Sequence, residues 1–423
     1  MSEAAEPTRP AAPRGPGSRV TVEEHLDRVL RDLRPLPAHP QPLMDALGLA
    51  CAEDVVAEVA LPSFDNSAMD GYAVVHRDVA GASPESPVHL PVVGEIGAGN
   101  AQLLALSPGT AAKIMTGAPV PAGADAVVPY EWTDRGVAQV RIDQAPTRGQ
   151  HVRPAGEDVS VGDLVVEEGT VLGPRHLGLL ASLGRAQVRS RPRPRVVVLS
   201  TGSELRDPGT PLGHDSIYDG NSYLLAAAAR RAGALAFRVG IVPDEPAAFL
   251  EALHDQLVRA DVVVTSGGVS QGDFDVVKEA LAPAGVWFGG VAMHPGKPQG
   301  FGFVGEDRTP IFTLPGNPVS SYVSFQLFVL PALRRLMGIE PHVRPTVPAR
   351  LTRSIVSPAG KRQFLRAEYA VESGGASVAP VGGAGSHMIG ELASANALIV
   401  VPEETTAIAA GERVDVLPLD TEL

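Results

Sequence analysis

The sequence contains a single cysteine, Cys51, which excludes an internal disulfide and a zinc site built from several cysteines. It also lacks any apolar run near the roughly 20 residues that a membrane-spanning helix needs. The net charge of −13 disfavours nucleic acid as a partner, because a phosphate backbone needs a basic surface. The eleven histidines are scattered and form no H-E-x-x-H pair, so they indicate no specific metal site.

The N-terminal segment, residues 1–18, has no apolar core of the kind found in a signal peptide. It is rich in proline and alanine, which predicts a disordered lead-in and a cytoplasmic protein. The whole chain of 423 residues, 44% of them hydrophobic, is long enough for about three packed domains.

The most informative stretch is D-V-V-V-T-S-G-G-V-S-Q-G-D-F-D-V-V-K at residues 261–278. Its valine run predicts a strand that is buried on both faces, as in a parallel sheet. Small loop residues follow, and a helix-like segment comes after them. A strand, a glycine-rich loop and a helix N-terminus predict a site for a phosphate group. The loop residues expected to contact it are Ser266, Gly267, Gly268, Ser270 and Gly272.

Two carboxylates, Asp273 and Asp275, come directly after these glycines. They would repel a phosphate unless a cation lay between them, and Mg²⁺ binds one or two carboxylates together with phosphate oxygens. A ligand phosphate held with Mg²⁺ is one interpretation, and a tight turn capped by aspartate is the other. Residues 268–272 also match the G-x-S-x-G motif of hydrolases. The acidic tripeptide that separates this serine from the helix disfavours a hydrolase, as does the absence of an H-G-G-G-like segment upstream.

Strand-like and helix-like runs alternate from residue 196 to about residue 338. This alternation predicts a doubly wound α/β domain with a parallel sheet and right-handed crossovers. The loops that follow the strands lie on the carboxyl edge of such a sheet, where ligands bind. We therefore expect Glu204 and Asp244 to lie near the glycine-rich loop and its aspartates. Lys297 also approaches this edge and could neutralise a phosphate, although a solvated lysine is equally expected there.

The flanking segments predict smaller modules. Thr21 and Glu24 form a capping-box pattern at the start of an amphipathic helix, and further helical segments are expected at residues 42–49 and 174–183. Short valine-bearing runs after residue 343 predict a small β-barrel. The boundaries predicted from these patterns are a lead-in at 1–18, a discontinuous helical and linker module at 19–50 and 145–190, a β-rich module at 51–144, an α/β domain at 191–338 and a C-terminal β-barrel at 339–423.

A series of motifs resembles, in the same order, those of the MoeA-type molybdopterin molybdenumtransferases, and the resemblance extends over nearly the whole chain after about residue 20. The motifs are F-D-N-S-A-M-D-G-Y-A (64–73), I-M-T-G-A-P-V-P (114–121), G-E-D-V (156–159), S-T-G-S-E-L (200–205), S-G-G-V-S-Q-G-D-F-D (266–275), P-G-K-P (295–298) and L-P-G-N-P-V-S (314–320).

This resemblance implies an enzyme of molybdenum cofactor synthesis with a central molybdopterin-binding domain. It implies that adenylylated molybdopterin and molybdate are the substrates, that the pyrophosphate is cleaved with Mg²⁺, and that AMP is released. It further implies an elongated homodimer in which the module carrying residues 64–73 reaches the partner's sheet edge. Neither nucleic acid nor a membrane is expected as a partner.

The resemblance also implies specific site residues. The candidate catalytic residues are Asp70, Thr116, Asp158, Glu204, Asp244 and Asp275. We expect Asp244 and Asp275 to bind Mg²⁺, Glu204 and Asp70 to orient metal or molybdate, and Thr116 to donate a hydrogen bond. Glu204 is a third candidate metal ligand. The residues expected to bind the pterin substrate are Thr201, Gly202, Asp219, Asn221, Ser266, Gly267, Gly268, Ser270, Gly272, Asp273, Lys297, Pro315, Gly316, Asn317, Pro318 and Ser386.

His294 and Gly290 stand where members of the family often carry lysine. His294 could supply the missing positive charge only when it is protonated. Two other functions stay open at this point. A molybdopterin-binding or adenylylating protein would have a similar central domain but no need for residues 1–150, and no feature demands a non-catalytic dimeric scaffold of the gephyrin type. The sequence does not distinguish molybdate from tungstate.

Overall fold

The computed structural model describes residues 20–99, 105–268 and 275–420. The chain divides into two compact units, one formed by residues 1–39 with 191–423 and the other by residues 40–190. Within the described ranges, no helix is long and apolar enough to cross a lipid bilayer. The helices are Val22–Arg31, Pro174–Ser182, Asn221–Arg231, Pro246–Leu257, Val276–Leu281, Pro318–Ser324, Leu330–Leu336 and Ile389–Ala393, with short 3-10 turns at His76–Asp78 and Tyr130–Trp132.

The first unit contains a mixed sheet of six strands. In spatial order these are Leu235–Arg238, Arg195–Ser200, Val262–Ser266, Thr309–Leu314, Pro298–Val304 and Trp287–Gly290. The first four strands are parallel to one another, as the alternating pattern predicts. Pro298–Val304 pairs antiparallel with both of its neighbours, Thr309–Leu314 and Trp287–Gly290. The antiparallel pair was not predicted. The four parallel strands therefore end on one edge, and the strand at Pro298–Val304 begins there.

Helices cover both faces of this sheet. Val262 and Val264 pack into a core with the long C-terminal helix of the α/β domain, whereas Val263 packs into a second core with Phe249 and Leu253 of the Pro246–Leu257 helix. Alternate side chains of one strand thus enter opposite cores, because successive residues of a strand point to opposite faces. The prediction of a doubly wound α/β domain is confirmed.

The helix that follows Thr309–Leu314 is interrupted. Sequence patterns predict one helix as far as about residue 337, but a π-helical turn, Phe325–Val329, separates Pro318–Ser324 from Leu330–Leu336. Pro331 has no N–H to donate to the preceding turn, so regular α-helical bonding cannot continue through it. The helix expected at residues 42–49 was wrong. Hydrogen-bonded turns occupy this segment, which ends in the positive-φ residue Gly48.

The C-terminal segment forms the predicted barrel. Its sheet has five strands in mixed orientation, and the first strand in spatial order pairs with the last, which closes the barrel. In spatial order they are Arg362–Glu372, Gly375–Pro380, Val347–Leu351, Arg413–Pro418 and Ala397–Val401. Met293–His294 extends this sheet beside Arg362, and Ile355–Val356 pairs with Ala407–Ile408.

The second unit is built around a five-stranded sheet. Its strands, in spatial order, are Ala126–Pro129, Gly71–Val74, Ala111–Ile114, Val88–Ile96 and Gln139–Ile142. The short strands around it are His39–Pro42, Val55–Val56, Asn66–Ser67, Val152–Arg153, Leu164–Val166 and Gln187–Ser190. Cys51 is buried here, and burial raises the pKa of its thiol, so it serves as a small core residue.

Candidate functional site

A pocket of about 370 Å³ opens at the carboxyl edge of the parallel strands. The predicted site residues that line it are Thr201, Glu204, Asp219, Asn221, Ser266, Gly267, Gly316, Asn317 and Pro318. They come from loops after three different strands and from the helix at Asn221–Arg231. The convergence of separate loops at this edge is what parallel topology requires.

Asn221 fixes the base of this pocket. Its side-chain amide donates to Ser266 Oγ at 2.8 Å and to the Gly316 carbonyl at 2.6 Å. Ser321 in turn donates to the Pro315 carbonyl and lies 3.4 Å, oxygen to oxygen, from Ser266. The loops after two neighbouring strands are thereby held together by side chains of the helices behind them.

Asp219 is almost completely buried, with 1% of its surface exposed. It accepts hydrogen bonds from the Ser222 backbone at 3.0 Å and from the Ser222 hydroxyl at 2.6 Å, and a third from Ser200 Oγ at 3.2 Å. Arg238 lies 3.9 Å away. Donors of the chain itself therefore satisfy this carboxylate, which anchors the start of the Asn221–Arg231 helix at the pocket.

The paired glycines are required by close packing. Gly267 has φ +98°, and a Cβ there would lie 2.9 Å from the Thr201 carbonyl oxygen. Gly268 has φ +66°, and a Cβ there would lie 2.7 Å from Val277 Cγ2. Thr201 Oγ1 is buried beside this loop and has no hydrogen-bond partner among the residues that the structure describes. A buried hydroxyl of this kind can bond a ligand without losing another partner.

Two of the predicted carboxylates, Asp244 and Glu204, lie on two different loops that Ser203 joins. Asp244 accepts hydrogen bonds from Ser203 through both the backbone N–H, at 2.6 Å, and the hydroxyl, at 2.9 Å. Both bonds go to Oδ2. Glu204 directly follows Ser203 in the chain, is exposed, and lines the pocket. Asp275 occupies the N-cap position of the Val276–Leu281 helix and is partly buried. Ser270, Gly272 and Asp273 lie outside the described residues.

The described residues contain no group of three side chains that could bind a metal ion by themselves. Glu204, however, presents its carboxylate to the pocket, and Asp244 uses only one oxygen for Ser203. Mg²⁺ commonly takes one or two carboxylates and completes its shell with phosphate oxygens and water. Glu204 and Asp244 could therefore supply one or two ligands to a magnesium ion that arrives with a phosphate-bearing substrate, and the described residues alone do not form a complete metal site.

The motif at residues 295–298 also lies at this edge of the sheet. Gly290 pairs with Pro298 and Gly300 pairs with Thr313, and this antiparallel register, continued, places Lys297 level with Gly316. His294 is partly buried. Burial lowers the pKa of its ring, as does the nearby Lys361, so His294 is neutral at neutral pH and carries no positive charge in place of a lysine.

In the second unit, the structure brings Asp70 and Thr116 together. Asp70 Oδ1 accepts hydrogen bonds from the Thr116 backbone N–H at 2.7 Å and from its hydroxyl at 2.8 Å. These two bonds lower the pKa of the Asp70 carboxyl. Asp158 lies on a separate exposed loop, where its N–H donates to the Leu61 carbonyl at 3.0 Å.

Sequence patterns missed several residues that line the pocket. Ser200 and Gly220 are neighbours of predicted residues, and four further lining residues are apolar or aromatic. His387 comes from a loop of the barrel next to the predicted Ser386. The unpredicted lining residues are Ser200, Leu205, Ile217, Tyr218, Gly220, His387 and Ile389. Ser386 was expected at the site from the family resemblance alone, and no local pattern indicates that His387 or Ile389 lies there.

Comparisons with known proteins cover nearly the whole chain. The MoeA N-terminal region (domain I and II) matches residues 20–184, a probable molybdopterin binding domain matches residues 197–335, and the MoeA C-terminal region (domain IV) matches residues 348–419.

Two relatives come from Mycobacterium tuberculosis. Molybdopterin molybdenumtransferase 2 is 49% identical over 94% of this chain and 99% of its own length, and molybdopterin molybdenumtransferase 1 is 43% identical over 88% and 93%. A crystal structure of the molybdopterin biosynthesis MoeA protein from Pyrococcus horikoshii superposes with a TM-score of 0.82 at 31% identity, covering 96% of this chain and all of that one.

Proposed function

The chain belongs to the MoeA family of molybdopterin molybdenumtransferases, and from this we propose that it inserts molybdenum from molybdate into adenylylated molybdopterin, with Mg²⁺ as cofactor and with release of AMP. The observation that supports this most directly is the pocket at the sheet edge. Its lining includes Gly267 of the glycine loop, Thr201, whose hydroxyl has no partner among the described residues, and Glu204.

In this proposal the glycine loop receives the phosphate end of the substrate. Gly267 and Gly268 let the backbone approach closely, and Thr201 supplies a buried hydroxyl that has no competing partner among the described residues. Asn221 holds the loops around Ser266 and Gly316 at a fixed distance, so the site is formed before the ligand arrives. The apolar and aromatic lining residues, which include Ile217 and Tyr218, are suited to a flat ring system.

The carboxylates have a separate task. Ser203 orients Asp244 through two hydrogen bonds, which leaves Oδ1 for a cation, and Glu204 faces the pocket from the same loop. When bound there, Mg²⁺ would offset the negative charge that develops on the pyrophosphate as it is cleaved. We assign Asp275 to the same cation because it follows the glycine-rich loop directly.

Asp70 and Thr116 complete the proposed site. Because the pKa of Asp70 is lowered by Thr116, its carboxylate stays ionised and fixed in orientation over the working pH range. We propose that the protein is a cytoplasmic homodimer. In this dimer, Asp70 and Thr116 reach the sheet edge of the partner subunit, where Asp70 orients the metal ion or the molybdate oxyanion.

The test is AMP release from adenylylated molybdopterin, measured with and without molybdate and Mg²⁺. We expect release only when both are present, and a loss of about 100-fold in Asp244→Asn and Asp275→Asn, in line with the removal of one preorganised charge from an active site. Asp215→Asn removes an exposed carboxylate from a neighbouring loop and should keep the wild-type rate. Wild-type rates in both variants would remove the magnesium assignment, and AMP formation without molybdate would contradict the transferase.

A further inference from the structure

The barrel contributes a wall to the pocket. Residues 381–388, here called the barrel loop, connect the Gly375–Pro380 strand to the Ile389–Ala393 helix. His387 in this loop lines the pocket together with Ile389 directly after it. The loop has no helix or strand of its own, so contacts with residues outside it must fix its conformation.

Arg366 is the residue that fixes it. This side chain lies on the Arg362–Glu372 strand and is only 3% exposed. Its guanidinium donates to the Gly385 carbonyl at 2.8 Å and also to the Gly383 carbonyl. A third bond, at 2.6 Å, goes to the carboxylate of Glu391, which accepts a further hydrogen bond from the Gly383 N–H at 3.2 Å. The ion pair between Arg366 and the half-buried Glu391 thus holds the middle of the barrel loop and connects it to the helix that follows.

The loop held in this way is bonded to the substrate pocket. The Ser386 carbonyl accepts from the Val319 N–H at 3.1 Å, and Ser386 Oγ accepts from the Asn317 side chain at 2.9 Å. Asn317 is itself a pocket residue and precedes the Pro318–Ser324 helix. Hydrogen bonds therefore run without interruption from Arg366 through the barrel loop to the sheet edge.

We propose that Arg366 is a positioning residue that holds the barrel loop so that Ser386 stays bonded to Asn317 and His387 forms part of one wall of the substrate pocket. This inference rests on the proposed function where it calls the pocket a substrate site. The role of Arg366 in placing the loop does not depend on that function. Arginine suits the task because its planar fork can serve three acceptors at once. A lysine would keep the charge for Glu391 but could not hold the two carbonyls in the same geometry.

The first experiment measures loop order without activity. Hydrogen exchange of the purified protein should show faster exchange at residues 316–322 and 381–389 in Arg366→Gln than in wild type, because the Val319 N–H depends on the loop. Arg350→Gln removes an exposed arginine from the Val347–Leu351 strand of the same barrel and should change neither segment. Wild-type exchange in Arg366→Gln would overturn the proposal, whatever the protein's activity.

The second experiment separates positioning from general stability. With adenylylated molybdopterin as substrate, we expect Arg366→Gln to raise KM about tenfold with a smaller change in kcat, which corresponds to roughly 1.4 kcal/mol of binding. Arg366→Lys should recover part of this loss. His387→Ala should weaken binding by itself, and adding it to Arg366→Gln should cost little more, since the wall is already displaced. An unchanged KM in Arg366→Gln, or full additivity with His387→Ala, would contradict the proposal.

If Arg366→Gln does not fold, Glu391→Gln tests the same anchor from the other side, and it should reproduce the faster exchange and the raised KM. A Glu391→Gln protein that behaves as wild type in both measurements would overturn the proposal. Absence of AMP release from the wild-type protein would defeat the proposed function instead, and the exchange measurement would still decide the role of Arg366.

Discussion

The contact between Asp70 and Thr116 shows how one neighbour lowers the pKa of a carboxyl group that we propose belongs to the active site. The Thr116 N–H contributes most to the lowered pKa of Asp70, and the Thr116 hydroxyl contributes the rest of the hydrogen bonding. A lowered pKa means that the folded protein binds a proton less readily than the unfolded chain. The contribution of Asp70 to stability is therefore present above the ordinary aspartate pKa of 3.8, and it is lost as the pH falls through the pKa of Asp70 in the folded protein.

Thr116→Val should raise the pKa of Asp70 only part of the way to its ordinary value, because the backbone N–H bond remains. A carbon-detected NMR titration of the Asp70 carboxyl would measure this shift. Thr110→Val is a matched control, since the Thr110 hydroxyl donates to the Ser107 carbonyl and to no carboxylate. An Asp70 pKa that stayed the same or fell in Thr116→Val would show that the hydroxyl bond has no influence.

At the scale of the element, the Val22–Arg31 helix illustrates how a buried titratable group ties packing to pH. The capping box predicted from Thr21 and Glu24 is present, with both reciprocal bonds formed. His25 is buried against Trp287 and Phe328, at ring distances of 5.0 Å and 4.6 Å. Burial, with a smaller effect from Arg28, lowers the pKa of His25 to about 3.

The unfolded chain binds a proton at this histidine below about pH 6.5, whereas the folded chain does not until about pH 3. The contribution of His25 to stability is therefore complete above pH 6.5 and falls as the solution is acidified. Between pH 6.5 and 5 this site alone should lose ~2 kcal/mol of unfolding free energy. His25→Phe keeps an aromatic ring against Trp287 and should remove that part of the pH dependence.

Urea unfolding followed by the fluorescence of Trp287, in a Trp132→Phe background, would measure the difference between pH 7 and pH 5. His214→Phe, at a histidine whose side chain is 96% exposed, should keep the wild-type pH dependence. An equal pH dependence in His25→Phe and wild type would mean that the histidine is not buried in its neutral form.

The glycine-rich loop permits a sharper test. Gly267→Ala introduces both an unfavourable positive φ and a Cβ only 2.9 Å from the Thr201 carbonyl oxygen. We expect a loss of ~1–3 kcal/mol in stability and a loss of more than tenfold in affinity for adenylylated molybdopterin, measured by calorimetry. Gly285→Ala is the matched control, because Gly285 has φ +85° but no atom within 4 Å of the added Cβ. Similar losses of affinity in the two variants would mean that backbone strain alone, and not the close approach of the loops, accounts for the effect.

Elements with a strong local signal could be predicted from the sequence, and elements shaped by their neighbours could not. The valines at 262–264 predict a buried parallel strand, and that strand is confirmed. The Pro298–Val304 strand was missed because it contains glycines where strand-forming residues would be expected. A Cβ at Gly300 would lie 2.0 Å from Thr313 Oγ1, and one at Gly302 would lie 2.8 Å from Val286 Cα. Packing against neighbouring strands selects these glycines and hides the strand in the sequence.

The same distinction holds for the whole molecule. Residues that follow strands, such as Glu204 and Gly267, could be placed at the sheet edge because parallel topology brings all such loops to one side. His387 could not, because its position depends on how the barrel packs against the Pro318–Ser324 helix. The bond between Asn317 and Ser386 joins segments 69 positions apart, and no local pattern encodes that contact.

The proposed homodimer makes a prediction that depends on the assembly alone. Asp70 belongs to the unit formed by residues 40–190, and Asp244 belongs to the other unit. If each site combines Asp70 of one subunit with Asp244 of its partner, a mixed dimer of Asp70→Asn and Asp244→Asn chains contains one site in which both residues are intact. The other site carries both substitutions.

Each variant should be nearly inactive by itself, because every site of a pure dimer then lacks one carboxylate. Random subunit exchange of equal amounts makes half of the dimers mixed, so AMP release should return to about a quarter of the wild-type rate for a symmetric dimer. Mixing Asp70→Asn with Thr116→Val chains is the control, since these residues belong to the same pair and the mixture should recover no more than the Thr116→Val chains supply. A mixture of Asp70→Asn and Asp244→Asn that exchanges subunits, shown by mass spectrometry of the intact dimer, and yet stays inactive would place both carboxylates of each site in one subunit.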